Sequence, residues 1–316
     1  MGLREGVKLS RRVYSELMSQ IRSGKFVFTG ELEPEKTTDL KEVIEATLRM
    51  KGYVTACNVT DNPQSFAYIS SLAAAYLIQE KTGVETIYQL TCRDRNRIAL
   101  TSDLLGAGAL GIKNVLALTG DHSTLGDMPQ AKPVFDLDSV QLISMIRRMV
   151  DEGVDISGNE IEKPPKFHVG AGANPNAKPL EPEIIKFIKK VEAGAEFFQT
   201  QVVFDVETVK RFFNEIGNCN VPVLIGIFPL RSYGVAEYFD KTVPGVKVPE
   251  ELMTALAKAK KISDKKRRRE KYNEINLEYF TNLLREIKKT TPAAGCHLMS
   301  VGYEEIIPDL VKAVKP

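Results

Sequence analysis

Ala195-Glu196-Phe197-Phe198-Gln199-Thr200-Gln201-Val202-Val203-Phe204-Asp205 decides the fold. Gly194 closes the segment before it, which reads as a helix and carries Lys189 and Lys190. The apolar run is too short for a second helix and predicts a buried parallel strand. Two glutamines, Gln199 and Gln201, lie inside it. A buried side-chain amide without partners costs about 1–3 kcal/mol. Two readings are open: an amide that bonds neighbouring backbone, or one that awaits a planar, hydrogen-bonding ligand.

Working outward, the same beat of strand and helix repeats. Before the run, strands are expected over residues 26–33, 53–59, 85–92, 114–118 and 166–171, with helices over 38–50, 65–81, 96–105, 138–150 and 181–192. After it come a helix over 206–216, a strand over 221–228, a short helix over 233–239, a strand over 296–300 and a helix over 304–314. An amphipathic helix over 10–23, with Val13, Leu17 and Ile21 on one face, precedes the first strand. Eight strands, each followed by a helix, argue for a (β/α)8 TIM barrel rather than an open doubly wound sheet. The chain reads as one domain over residues 1–316, with an extra helix within 1–24 and a helical insertion at about 248–289.

Composition narrows the function classes. The chain carries 43 basic and 41 acidic residues, a net charge of +2. No strong field steers it to nucleic acid or to a membrane surface. No apolar run reaches the roughly 18 residues of a membrane span. The first residues have no apolar signal core, so cytoplasm is the expected compartment. Cys57, Cys92, Cys219 and Cys296 form no C-x-x-C pair and read as reduced thiols. His122, His168 and His297 show no metal-ligand spacing. Gly106-Ala107-Gly108-Ala109-Leu110-Gly111 matches a dinucleotide fingerprint, but a helix precedes it and a strand follows, so a tight αβ loop is expected. Lys265-Lys266-Arg267-Arg268-Arg269 lies near Glu270, Glu274 and Glu278 at helical spacings and reads as a solvated helix face.

In such barrels the active site forms at the carboxyl ends of the strands. Those ends supply Glu31 and Glu33, Asn58, Thr60 and Asp61, Gln89, Thr91 and Arg93, Thr119, Gly120 and Asp121, Asn174 and Asn176, Gln201 and Asp205, and Arg231, Ser232 and Tyr233. Glu31 and Asp121 stand out because each follows an apolar run and is expected to be buried. A carboxyl in an apolar mouth can serve as a general acid near neutrality. A salt-bridged structural carboxylate at Glu31 and a helix cap at Asp121 are the plainer readings.

Taken together, these residues resemble the methylenetetrahydrofolate reductase family from about Phe26 to Leu310. The resemblance rests on Gly30-Glu31-Leu32-Glu33-Pro34, Asn58-Val59-Thr60-Asp61, Gln89-Leu90-Thr91-Cys92, Asn114 to Asp121 with its Leu118-Thr119-Gly120-Asp121 end, Val191-Glu192-Ala193-Gly194-Ala195, Thr200 to Asp205, and Ile225-Gly226-Ile227-Phe228-Pro229. It implies a flavin-bearing barrel that reduces 5,10-methylenetetrahydrofolate to 5-methyltetrahydrofolate. It implies Glu31 as the acid that protonates N10 of the folate, Asp121 as a carboxylate near flavin and pterin, and Gln201 as the amide that orients the pterin. Tyr233 matches an aromatic ring that stacks on substrate. Thr60, Gln89, Thr119, Gly120, Asp121, Ala171 and Asn174 match cofactor positions, and Glu183, Lys189 and Lys190 match the helix that meets the cofactor's ribose and phosphates. The implied cofactor is FAD, with FMN as the alternative, and no metal. Gln89 and Asn174 stand where better-known members have histidine, Thr119 where they have arginine, and Tyr303 about where an arginine binds the folate tail. This variant looks more like the form of anaerobic and acetogenic metabolism. Its electron source is then NAD(P)H or a partner subunit, and a homo- or hetero-oligomer is expected. A pterin-dependent methyltransferase-like barrel and a flavin-carrying subunit of a larger complex are the competing readings.

Overall fold

A computed structural model of the chain describes residues 12–315. Its eight strands are β1 (Val27–Leu32), β2 (Ala56–Val59), β3 (Glu85–Thr91), β4 (Asn114–Leu118), β5 (His168–Ala173), β6 (Phe197–Val202), β7 (Val223–Ile227) and β8 (Gly295–Leu298). All neighbours pair in parallel, and β8 returns to β1 through His297 opposite Thr29, closing the barrel. Helices α2 (Lys41–Met50), α3 (Ser71–Thr82), α4 (Arg97–Ala109), α5 (Ser139–Asp151), α6 (Glu181–Glu192), α7 (Val206–Ile216) and α8 (Tyr233–Thr242) follow β1 to β7 in turn. Two more, α9 (Glu250–Lys260) and α10 (Lys265–Thr290), precede β8, and α11 (Ile307–Val314) ends the fold.

Strand alternation sorts the apolar residues into two cores. Outward side chains such as Phe28, Val59, Tyr88, Val115, Phe198 and Ile225 pack under the helices. Inward ones, Val27, Ala56, Ile87, Leu116, Phe197 and Leu224, make an apolar layer inside the barrel. Below that layer lies α1 (Glu16–Arg22), whose Leu17, Met18 and Ile21 press into it and seal the amino-terminal end. Glu85 fixes the plug by accepting the backbone N–H of Glu16 (2.8 Å) and of Leu17 (3.0 Å), two amides that helix geometry leaves without intrahelical partners. Beside it, the buried Glu196 accepts from Arg147 (2.8 Å), Arg22 (3.3 Å) and His168 Nδ1 (3.1 Å), while His168 Nε2 accepts from the Tyr14 amide (2.9 Å).

Several boundaries differ from the sequence expectation. The first helix starts only at Glu16, behind the Ser15 cap, and leaves Val13 47% exposed rather than on the apolar face; residues 1–11 lie outside the described ones. The helix expected from residue 65 begins at Ser71, because Asn62, Gln64 and Ser65 all take positive φ around Pro63. Helix α4 runs on through Gly106 and Gly108, held by the buried face of Leu100, Leu104 and Ala107, so the glycine run is the end of a helix and not a loop. The insertion is a pair of helices, broken where Asp264 caps α10 by accepting from Arg267 N at 2.7 Å. Lys265, Lys266, Arg267 and Arg269 are exposed at its start.

Candidate active site

Above the apolar layer the inward positions become polar. Thr29 and Glu31 follow Val27 on β1, Asn58 follows Ala56 on β2, Gln89 follows Ile87 on β3, Gln199 follows Phe197 on β6, and His297 follows Gly295 on β8. These side chains, contributed by strands far apart in sequence, form one hydrogen-bonded chain across the lumen. Gln199 Nε2 donates to Asn58 Oδ1 (3.0 Å) and Thr29 Oγ1 (3.1 Å), and Gln199 Oε1 accepts from Asn58 Nδ2 (2.7 Å). Thr29 Oγ1 lies 3.0 Å from His297 Nδ1, and His297 Nε2 lies 3.2 Å from Glu31 Oε2. Gln89 Nε2 reaches the same Oε2 at 3.5 Å. The members other than Glu31 are at most 9% exposed. The Glu31 side chain, 17% exposed, opens to the carboxyl-terminal mouth.

At that mouth the two glutamines of β6 part company. Gln199 is buried in the lumen network, whereas Gln201 is exposed. Its Oε1 accepts from Val202 N (2.9 Å), and among the described residues its Nε2 has no partner. The separation comes from a β-bulge: the β6–β7 register shifts between Gln199 and Val202. Thr200 Oγ1 accepts from Gly226 N (2.8 Å) and donates to Gln201 O (2.9 Å). Gly226 is required there, since a Cβ would stand 2.3 Å from Thr200 O.

The remaining candidates fall into three groups. Thr60 and Gly120 rim the lumen. The Thr60 hydroxyl is buried without a partner, and Gly120 takes φ +91° where β4 turns outward. Asp121 is exposed, against the expectation, because β4 ends at Leu118 and the chain has turned away by then; its carbonyl accepts from Ser65 and Arg93. Thr119 Oγ1 accepts from Ser139 N at the start of α5 (3.2 Å). A second group lines the β5–α6 edge. Asn174 N donates to Glu183 Oε1 (2.9 Å), and Lys190, buried, donates to Gly172 O (2.6 Å). Burial pushes the Lys190 ammonium below its usual range, offset in part by Glu183. Lys189 is exposed, and Ala171 packs in the outer core. The third group is structural. Asp61 holds Arg95 at 2.7 Å, Thr91 N at 2.9 Å and Ser71 Oγ at 2.9 Å, and Asp205 caps α7 through Thr208 N (2.6 Å). Tyr233 carries the Lys260 ammonium over its ring at 4.7 Å.

Burial raises the Glu33 carboxyl above its ordinary range, with Glu31 adding to the rise and a hydrogen bond from Tyr68 opposing it. Two polar groups here lack a partner among the described residues and can take the polar edge of a planar ring, the buried Thr60 hydroxyl and Gln201 Nε2. Sequence reading missed His297, although Cys296-His297-Leu298 alternates so as to send it inward.

The family model described as methylenetetrahydrofolate reductase matches residues 16–315. The chain belongs to the methylenetetrahydrofolate reductase family. Among its relatives, methylenetetrahydrofolate reductase 2 of Schizosaccharomyces pombe is 25% identical over 308 residues, covering 94% of this chain and 46% of that protein. The 5,10-methylenetetrahydrofolate reductase of Pectobacterium carotovorum is 25% identical over 248 residues and is covered to 77%, as is this chain. Methylenetetrahydrofolate reductase (NADH) 1 of Arabidopsis thaliana is 29% identical over 255 residues, 78% of this chain and 42% of that protein. The chain thus spans less than half the length of the yeast and plant reductases it matches. An uncharacterized protein from Clostridium thermocellum, which binds two copies of 5-methyl-5,6,7,8-tetrahydrofolic acid, shares the fold at a TM-score of 0.62 and 18% identity, over 95% of this chain and 98% of its own. The family match runs over the whole barrel, from α1 to α11.

Proposed function

We propose that this member of the reductase family carries out flavin-dependent reduction of 5,10-methylenetetrahydrofolate to 5-methyltetrahydrofolate, with Glu31 as the general acid. One observation carries the reading: Glu31 projects into the barrel at the carboxyl ends of the strands, with its Oε2 held by His297 and Gln89. The folate-binding neighbour of like fold supports the substrate class. In the proposed step the N10 lone pair takes the Glu31 proton, the pair of the C–N10 bond stays on nitrogen as the methylene bridge opens to an iminium, and Glu31 is left as a carboxylate. A flavin, FAD or FMN, supplies the hydride chemistry when bound. Thr60, Gln89, Thr119, Gly120 and Asp121 would hold its ring. Asn174, Glu183, Lys189 and Lys190 would meet its ribose and phosphates. Gln201 and Tyr233 would orient the pterin, with Asp121 accepting from its N–H groups. Electrons come from NAD(P)H or from a partner subunit, in a cytoplasmic homo- or hetero-oligomer.

The visible spectrum of the purified protein tests the cofactor, and anaerobic mixing with 5-methyltetrahydrofolate tests the reaction in reverse. Yellow protein that bleaches is the expected result. Colourless protein that binds folate returns the methyltransferase reading, and yellow protein that does not bleach returns the carrier reading.

A further inference from the structure

The lumen chain has a direction. Gln199 uses its N–H groups on Asn58 Oδ1 and Thr29 Oγ1, so the Thr29 oxygen receives a donor and its own proton is free to point at His297 Nδ1. An imidazole that accepts at Nδ1 carries its proton on Nε2. That N–H then faces Glu31 Oε2 at 3.2 Å, and Gln89 Nε2 approaches the same oxygen at 3.5 Å. Both donors occupy one oxygen. Among the described residues, no hydrogen bond reaches Oε1.

We propose that His297 is a positioning residue for the Glu31 acid: fixed as the Nε2–H tautomer by Thr29, it occupies Oε2 and leaves Oε1 as the oxygen that carries the transferable proton. This rests on Glu31 being the acid. With two donors on Oε2, the carboxyl group is held in one orientation, and Oε1 is the oxygen left to face substrate. The ionisable groups that bear on the pair are Glu33, just past the end of β1, and the Tyr68 hydroxyl bonded to it; the β2, β3 and β6 neighbours Asn58, Gln89 and Gln199 are uncharged.

The first measurement needs no turnover. In protein labelled with 15N-histidine, long-range proton–nitrogen spectra at pH 7 should show the Nε2–H tautomer for His297, its signals identified by their loss in His297→Gln. The Nδ1–H tautomer there would overturn the proposal, because Nε2 would then be accepting a proton from Glu31. The second follows the reaction of the reduced holoenzyme with methylenetetrahydrofolate over a range of folate concentrations. In His297→Leu the carboxyl is no longer held by the imidazole, so the limiting rate should fall roughly ten- to a hundredfold, less than the loss of the acid itself, while the folate concentration at half-saturation changes little. His297→Gln, which can return an N–H near the Nε2 position, should recover most of the rate. A lower melting temperature in His297→Leu with the limiting rate unmoved would mean a purely structural histidine and end the proposal. Near-normal turnover in Glu31→Gln would instead defeat the assignment of the acid, while leaving the tautomer result standing.

Discussion

At the scale of single residues, the two glutamines of β6 give a clean contrast. Gln201→Glu replaces a free N–H pair at the mouth with an acceptor, so folate binding should weaken by about 1–3 kcal/mol while the melting temperature stays put. Gln199→Ala strips partners from Asn58 and Thr29 inside the barrel, and should destabilise the fold by roughly 2 kcal/mol or more. Isothermal titration and thermal unfolding on the two variants check the assignment; reversed results would exchange the roles. Glu31→Gln should retain flavin and its reduction by the donor but lose a factor of about 10²–10⁴ in folate turnover, measured by stopped flow. Glu33 offers a pH signature. Its folded carboxyl is raised by burial, so its charge opposes folding at neutral pH and ceases to do so once pH falls below the ordinary value of 4.5. Glu33→Gln should therefore melt higher than the parent at pH 7, with the gain vanishing near pH 4. These roles were only half legible in the sequence. Glu31 and Gln201 could be found by alternation, but Gln199 and Gln201 share one inward face on paper, and only the bulge separates buried from exposed.

At the scale of elements, that bulge is held by one glycine. Gly226→Ala would put a Cβ 2.3 Å from Thr200 O, where backbone has to move. A stability loss of about 1–3 kcal/mol is expected, together with weaker folate binding, because Gln201 is aimed by the same distortion. Retained melting temperature and retained affinity would show that β7 can retreat without disturbing the mouth. The strands themselves were readable because each is a short apolar run between helical periods. Ends were not: Asn62, Gln64 and Ser65 all take left-handed backbone, which asparagine tolerates but glutamine and serine rarely adopt, and this delayed α3 to Ser71. The burial expected for Asp121 was not met, for a related reason. Its run of apolar neighbours is buried as far as Ala117, but the turn at Gly120 carries the next side chain into solvent.

At the scale of the whole molecule, the barrel and its order of elements were legible from the repeating beat, and closure was implied by counting to eight. What counting could not supply is contact across the lumen, where Gln199 of β6 meets Asn58 of β2 and Thr29 of β1. The plug has a consequence for traffic. With α1 seated under the apolar layer, the described residues leave Glu31 reachable from the carboxyl-terminal mouth and not from the other end of the barrel. Two soluble reactants that both need the face above the lumen then have to take turns, the first product clearing the doorway before the second reactant arrives. With NAD(P)H and folate varied together, double-reciprocal rate plots should run parallel; lines that converge would mean that both reactants occupy the mouth at once.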